Sequence, residues 1–222
     1  MNNILALFDL DHTLIPADSD LCWTKFLIDK GVIEKENTRV NENFFTQYND
    51  GCLDIYEFLS FQLKPLSSIP RAKLTSLRNE FIEKSILPII TPNARKIVNN
   101  HLNKGDLCAI VTATNEFITE PISKIFKIPT LIATKLETHP SGDFTGQADG
   151  IPNFREGKVT RVLQWLATKN LGLESFDKSF FYSDSINDLP LLSRVTNPVA
   201  MNPDEKLHAH ALSLGWKIKE IF

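Results

Sequence analysis

The sequence predicts an α/β protein: a three-layer core with a parallel sheet between helices, interrupted by an all-helical insertion. Three observations carry this. Short apolar runs ending in polar residues recur at 3–8, 107–112 ("LCAIVT"), 130–133 ("TLIA") and 178–183 ("KSFFYS"), with 196–200 ("TNPVA") a weaker fifth. Helical periodicity separates the later runs, and alternating strands and helices fold as parallel sheets covered on both faces. Between about 18 and 86 the pattern is helical only.

Taken in chain order, residues 3–8 read as a buried strand. Helices over 19–30, 35–49, 53–63 and 70–84 follow, punctuated by Gly31, Gly51 and the Pro65-to-Pro70 stretch, and "ILPIITP" (86–92) reads as the return linker. Pro92 opens a helix over 92–104, where its missing N–H costs nothing. The strand at 107–112 leads into a helix over 116–127. Segment 133–150 reads as two short strands around Pro140-Ser141-Gly142-Asp143, a hairpin or flap. Helices over 157–169 and 203–214 flank the remaining strands. The resulting division is a core formed by 1–15 and 88–222, with 16–87 inserted.

Composition restricts the function classes. The 222 residues suit one large α/β domain or a core with a small insert, and 42% hydrophobic content supplies a sizeable core. The 24 Lys+Arg against 27 Asp+Glu give a net charge of −3, with no footprint for nucleic acid. No apolar run approaches a membrane span, and no signal peptide is visible, so a soluble cytoplasmic protein is expected, monomer or homodimer. Cys22, Cys52 and Cys108 are too scattered for a disulfide framework or a Cys-x-x-Cys metal site. The five histidines are also scattered; His208 and His210 lie two apart on a helix and share no face.

The polar ends of the strands hold the chemistry. Asp9 and Asp11 follow the first strand, Thr112 and Thr114 the second, and Asp184 and Asp188 follow "FFYS", with Lys158 beginning the preceding helix. Ligands of open parallel sheets bind outside the carboxyl ends of the strands. Two unit charges about 4 Å apart repel by roughly 4 kcal/mol at an effective dielectric near 20, so clustered aspartates repel strongly or take up protons, a penalty that a bound divalent cation removes. Carboxylates, water and phosphate oxygens are the usual Mg²⁺ shell. A metal, a lysine, a hydroxyl and a carboxylate nucleophile together suit phosphoryl transfer.

In order, "DLDHT" (9–13), "VTAT" (111–114), "EGK" (156–158) and "SDSINDLP" (183–190) resemble the four motifs of the haloacid dehalogenase-like (HAD) hydrolases, over the whole chain. The helical insert resembles the small C1-type cap of the subfamily that includes phosphoserine phosphatase, on a Rossmann-like core. The resemblance implies a Mg²⁺-dependent phosphatase acting on a small phosphorylated metabolite through an aspartyl-phosphate. Asp9 would be the nucleophile and Asp11 the general acid and base. Lys158 would neutralise Asp9 and the phosphate, Thr112 and the Ala113 N–H would hold phosphoryl oxygens, and Asn187 would orient groups nearby. Asp9, the Asp11 carbonyl and Asp184 would bind the metal, with Asp188 supporting the site.

The same resemblance bears on the leaving group. Phosphoserine phosphatases carry an acid after the first motif for the substrate ammonium and an arginine in a later cap helix for its carboxylate. Asp18 falls at the acidic position, but Gln62 stands where the arginine would be, and no arginine lies between Arg39 and Arg71. An amide does not replace a bidentate arginine. An amine-bearing phosphomonoester without a carboxylate, such as histidinol phosphate, is therefore expected. The alternatives are phosphoserine itself, a lipid-headgroup phosphatase or phosphotransferase, and a catalytically silent binding module, which would be expected to have lost Asp9.

Overall fold

The computed structural model describes residues 3–34 and 36–222. Residues 1 and 2, assigned to the core, and residue 35, assigned to start the second insert helix, lie outside the described residues. Seven strands form one sheet in the order β4-β3-β2-β1-β5-β6-β7. They are β1 (Ile4–Phe8), β2 (Leu107–Asn115), β3 (Thr130–Thr138), β4 (Phe144–Asp149), β5 (Lys178–Ser183), β6 (Asn197–Met201) and β7 (Lys217–Lys219). Every pairing is parallel except β3 with β4. β1 sits between β2 and β5, with successive strands added outward on either side, so the topological switch point lies at its carboxyl end.

The apolar alternation of β1 explains the layers. Leu5 and Leu7 face a cluster with Val159, Val162 and Leu166 of α7 (Glu156–Ala167). Ala6 and Phe8 face the opposite cluster, which includes Ile97 and Val98 of α5 (Pro92–Leu102) and Ile118 and Ile122 of α6 (Glu116–Phe126). Phe8 stacks on Tyr182 with ring centres 5.0 Å apart and meets His101 edge-on at 5.7 Å. His101 is structural: its Nδ1 lies 2.6 Å from Asp106 Oδ2 and its Nε2 2.8 Å from the Tyr182 hydroxyl. The cysteines are unpaired, and burial pushes the Cys108 thiol up to about 12. Short α8 (Leu189–Leu192) and α9 (Glu205–Leu214) complete the second layer.

The insert consists of α1 (Ser19–Asp29), α2 (Glu36–Asp50), α3 (Ile55–Ser67) and α4 (Arg71–Phe81). Its core is continuous with the sheet's: Trp23, Phe26, Leu59, Leu63 and Phe81 belong to the same apolar cluster as Phe8 and Ile110. Local chemistry sets the helix ends. Asp18 accepts from the Leu21 N–H, and Asp54 accepts from the Tyr56 and Glu57 N–H groups. Three details differ from the sequence expectation. α3 runs through Pro65 to Ser67, and the helix expected over 70–84 widens into a π turn at Ile82–Ile86. β7, only three residues long, gave no recognisable apolar run.

Pro121 lies inside α6 and cannot donate to the Phe117 carbonyl one turn earlier. Arg78 of α4 supplies that donor instead, Nη1 to Phe117 O at 3.0 Å, and so pins the insert to the core. The hairpin expected over 133–150 is present as β3 and β4, and β3 is one continuous strand reaching from the sheet into the hairpin. Among the described residues no helix is long and apolar enough to cross a membrane.

Candidate active site

The carboxyl ends of β1, β2 and β5 open beneath the insert on one cavity of about 90 Å³, bounded by core and insert residues together. Core residues on its wall include Asp9, Asp11, Thr112, Ala113, Lys158 and Asp184, and Asp18 joins them from the start of α1. The sequence-derived set is thus largely assembled from segments far apart in the chain.

Asp9 leaves β1 as a buried residue, its N–H still paired with the Tyr182 carbonyl at 2.9 Å. The chain then turns sharply: Leu14 and Ile15 N–H groups return to the Leu10 carbonyl, and His12 takes a left-handed φ of 53°. That turn brings Thr13 beneath Asp9. The Thr13 hydroxyl lies 3.3 Å from Asp9 Oδ2 and 3.1 Å from Asp184 Oδ1, and it accepts from the Asp184 N–H at 3.0 Å. One hydroxyl proton cannot satisfy two carboxylates, so Asp9 and Asp184 face each other with a shortage of positive charge.

Lys158 reaches the site because α7 begins close beneath it. A Cβ on Gly157 would collide with the Pro152 carbonyl oxygen, so the glycine of the "EGK" motif is required by a close backbone approach. Lys158 is 3% exposed, with Nζ 2.8 Å from Asp9 Oδ1 and 2.7 Å from Asp188 Oδ2. Burial alone would lower its pKa, but the Asp188 and Asp9 carboxylates outweigh it and hold the ammonium charged.

The carboxylates feel the opposite imbalance. Burial raises Asp9, against the pull of Lys158, and raises Asp184 well above the ordinary range, with the Asp9 and Asp188 charges adding to it. Asp11 is pushed up to about 6 by burial and the charge of Asp18. Its Oδ2 accepts from the Thr114 hydroxyl at 2.8 Å and its Oδ1 from the Ser19 N–H at 2.8 Å. Five aspartates, counting Asp20 with Asp9, Asp11, Asp18 and Asp184, line a cavity whose basic groups among the described residues are Lys158 and His12.

An oxygen-only, charge-deficient donor set of this kind fits a hard divalent cation. Asp9 and Asp184, bridged by Thr13, have the right chemistry to hold one. Among the described residues no three His, Cys, Asp or Glu side chains form a complete cage. A cation here would therefore complete its shell from backbone carbonyl, water and phosphate oxygens.

Three expected site residues lie off the cavity wall. Asp188 is off the cavity wall, its Oδ2 taken by Lys158 and by the Ser183 hydroxyl at 2.6 Å. It therefore stands behind Lys158 as its second counter-ion, close enough to Asp9 for that charge to add to burial in raising its pKa. Asn187 is also off the wall. Its Oδ1 accepts from Arg155 Nε at 3.0 Å and Nη2 at 2.8 Å, and its Nδ2 donates to the Tyr48 carbonyl at 3.1 Å. Gln62 faces a separate small pocket beside Trp23 and Leu27, its Oε1 3.4 Å from the Thr24 hydroxyl. Arg71 is not at the site either; its guanidinium lies 3.8 Å from the centre of the Phe144 ring.

Sequence reading had missed a clasp between insert and core. Arg155 Nη2 donates to the Gly51 carbonyl at 2.6 Å, just past α2, and the Tyr48 hydroxyl donates to Ser185 Oγ at 3.0 Å. Arg155 holds a left-handed φ of 48°, unusual for a residue with a side chain and invisible in sequence. Thr13, by contrast, carried a signal, as the closing residue of "DLDHT".

Residues 6–193 match the model of the haloacid dehalogenase-like hydrolases. The chain belongs to this family. A histidinol-phosphatase of Neisseria meningitidis serogroup C is 45% identical over 215 residues, covering 96% of this chain and 97% of that protein. A phosphoserine phosphatase of Mycobacterium tuberculosis is 28% identical over 232 residues, covering 97% and 70%. Among solved structures, a protein of unknown function from Bordetella pertussis Tohama I superposes with a TM-score of 0.94, at 45% identity and full coverage of both chains. A phospho-aspartyl intermediate analogue of phosphoserine phosphatase superposes with a TM-score of 0.67 at 16% identity, covering 99% and 94%, a likeness of fold. This HAD-family chain shares its fold with phosphoserine phosphatase.

Proposed function

We propose that the chain hydrolyses a small phosphomonoester through an aspartyl-phosphate on Asp9, with Mg²⁺, and that histidinol phosphate is its substrate. The observation that supports the chemistry most is the buried Asp9–Lys158 pair on one cavity with Asp11, Thr112 and Asp184.

Asp9 attacks phosphorus, and the bond from phosphorus to the alcohol oxygen breaks. Asp11, held half-protonated near pH 6, gives its proton to that oxygen. A water then attacks the phosphoenzyme while the Asp11 carboxylate takes its proton; the bond from phosphorus to Asp9 breaks, releasing phosphate. Lys158 offsets charge on Asp9 and the phosphoryl group, and Thr112 with the Ala113 N–H binds phosphoryl oxygens. Asp9, Asp184 and the Asp11 carbonyl would hold Mg²⁺, which when bound supplies charge neutralisation and orients the phosphate. Residues 16–87 serve as a cap over the core, which comprises 1–15 and 88–222.

The leaving group follows from the insert's side of the cavity. Asp18 and Asp20 suit a cationic nitrogen, and Phe44, Phe45 and Phe58 offer apolar surface. No arginine among the described residues lines the cavity, so a substrate carboxylate would be buried without a cation, which costs several kcal/mol. Gln62 and Arg71 are both absent from the cavity, so neither supplies that cation. The Neisseria relative's name agrees with a substrate that has an amine and no carboxylate. Two assays test this. Hydrolysis of p-nitrophenyl phosphate is expected to require Mg²⁺ and to vanish in Asp9→Asn; activity surviving that change contradicts the covalent route. A kcat/KM higher for phosphoserine than for histidinol phosphate contradicts the substrate.

A further inference from the structure

Asn41 of α2 lines the same cavity and is 4% exposed, yet neither its Oδ1 nor its Nδ2 has a hydrogen-bond partner. Buried amides are normally satisfied, and an orphaned one is costly. The other described side chains with a sealed, unpartnered polar atom belong to Ser19, Arg71, Arg78 and Asn153, none of which lines this cavity. Asn41 is therefore, among the described residues, the cavity side chain whose whole polar end awaits a partner. Thr112, Ala113 and Lys158 come from the core; Asn41 comes from the insert, as do Asp18, Asp20, Leu21 and Phe45, and with Leu21 and Phe45 it also borders a second groove next to α1.

We infer that Asn41 is a specificity residue: its amide hydrogen-bonds an uncharged ring nitrogen or similar donor–acceptor group on the leaving alcohol. The inference rests on the phosphatase reading of the cavity. Asp18 and Asp20 attract charge, whereas an amide presents one acceptor and two donors and discriminates by hydrogen bonding alone. A group lying against Phe44 and Phe45 and also meeting Asn41 is flat, largely apolar and edged with a heteroatom. That describes an aromatic nitrogen heterocycle. A phenyl ring in the same place would leave the amide unpaired, which is how a polar site rejects an apolar analogue. Because the amide has no accessible surface even toward the cavity, such a ring must push aside the neighbours that now cover Asn41 to reach it.

Benzyl phosphate and the three pyridylmethyl phosphates isolate this effect, assayed above the pyridine pKa so that charge plays no part. The wild type is expected to prefer the best pyridyl isomer over benzyl by roughly tenfold in kcat/KM, the worth of one good hydrogen bond. In the near-isosteric Asn41→Leu, and in Asn41→Ala, that ratio falls to about one. Asn41→Leu should also melt at a higher temperature than wild type, because it removes an unsatisfied amide, whereas a merely structural asparagine would give a lower one. A wild-type ratio near one, a ratio unchanged by either substitution, or a destabilised Asn41→Leu overturns the inference. Failure to hydrolyse any of the four esters while histidinol phosphate is turned over overturns the inference; failure on histidinol phosphate and p-nitrophenyl phosphate as well overturns the phosphatase reading itself.

Discussion

Replacing Lys158 by methionine keeps the length of the side chain and removes its charge. In the wild type one ammonium, 3% exposed, satisfies Asp9 at 2.8 Å and Asp188 at 2.7 Å. Breaking a buried pair by removing one partner costs about 3–5 kcal/mol, since the abandoned charge stays buried. Here two carboxylates are abandoned, and each can recover part of the loss by taking a proton. Lys158→Met is therefore expected to be destabilised by about 3 kcal/mol in urea titrations at neutral pH, and by less in acid. The double variant Lys158→Met with Asp188→Asn removes one stranded charge and should regain part of that stability. Activity should not follow: losing the cation beside the nucleophile costs about 10²–10³-fold in kcat/KM in both variants. Wild-type stability in Lys158→Met, or activity within tenfold of wild type, refutes the assignment of Lys158 as the shared counter-ion.

Other expectations concern the clasp, the acid cluster and the insert. Arg155→Leu removes three hydrogen bonds that join Gly51 and Asn187, so amide exchange at 48–51 should quicken and KM should rise more than kcat falls; Arg155→Lys should rescue only in part, lacking the fork. Asp11 and Asp188 each have a folded pKa of about 6 against 3.8 ordinarily. A raised carboxyl pKa stabilises the fold below the unfolded value and loses that contribution as pH rises through 6. The metal-free protein should therefore melt at a lower temperature at pH above 7 than near pH 5, and Mg²⁺ should narrow the gap; a melt independent of both contradicts the charge deficit. Arg78→Ala strands the Phe117 carbonyl and should cost about 1–3 kcal/mol. In a Pro121→Ala background the restored N–H should reduce that cost, and equal costs in both backgrounds exclude the substitution of donors.

Much of the site was legible because its parts are short and local. The apolar runs of β1 and β5 end where those strands end, which placed Asp9 and Asp184 at one edge from sequence alone, whereas β2 runs on past Thr112 to Asn115. Lys158 was legible through its glycine, which the Pro152 carbonyl demands. What escaped depends on helix rotation and on backbone conformation without a sequence mark. One residue of slip turns a helical side chain by 100°, and Gln62 accordingly meets Thr24 and not the cavity. Asn187 looked like a phosphate neighbour until the positive φ at Arg155 aimed a guanidinium at it. Tyr48 and Asn41 lie on a polar helix of low apolar content, where no motif singled them out.

Acid quenching during turnover of histidinol phosphate, followed by peptide mass mapping, interrogates Asp9 most directly. The peptide carrying Asp9 should gain the mass of one phosphoryl group, and no peptide of Asp9→Asn should gain it. A phosphoryl group on any other residue, or none on wild type while rapid-quench kinetics show a burst of released alcohol, would contradict Asp9 as the nucleophile.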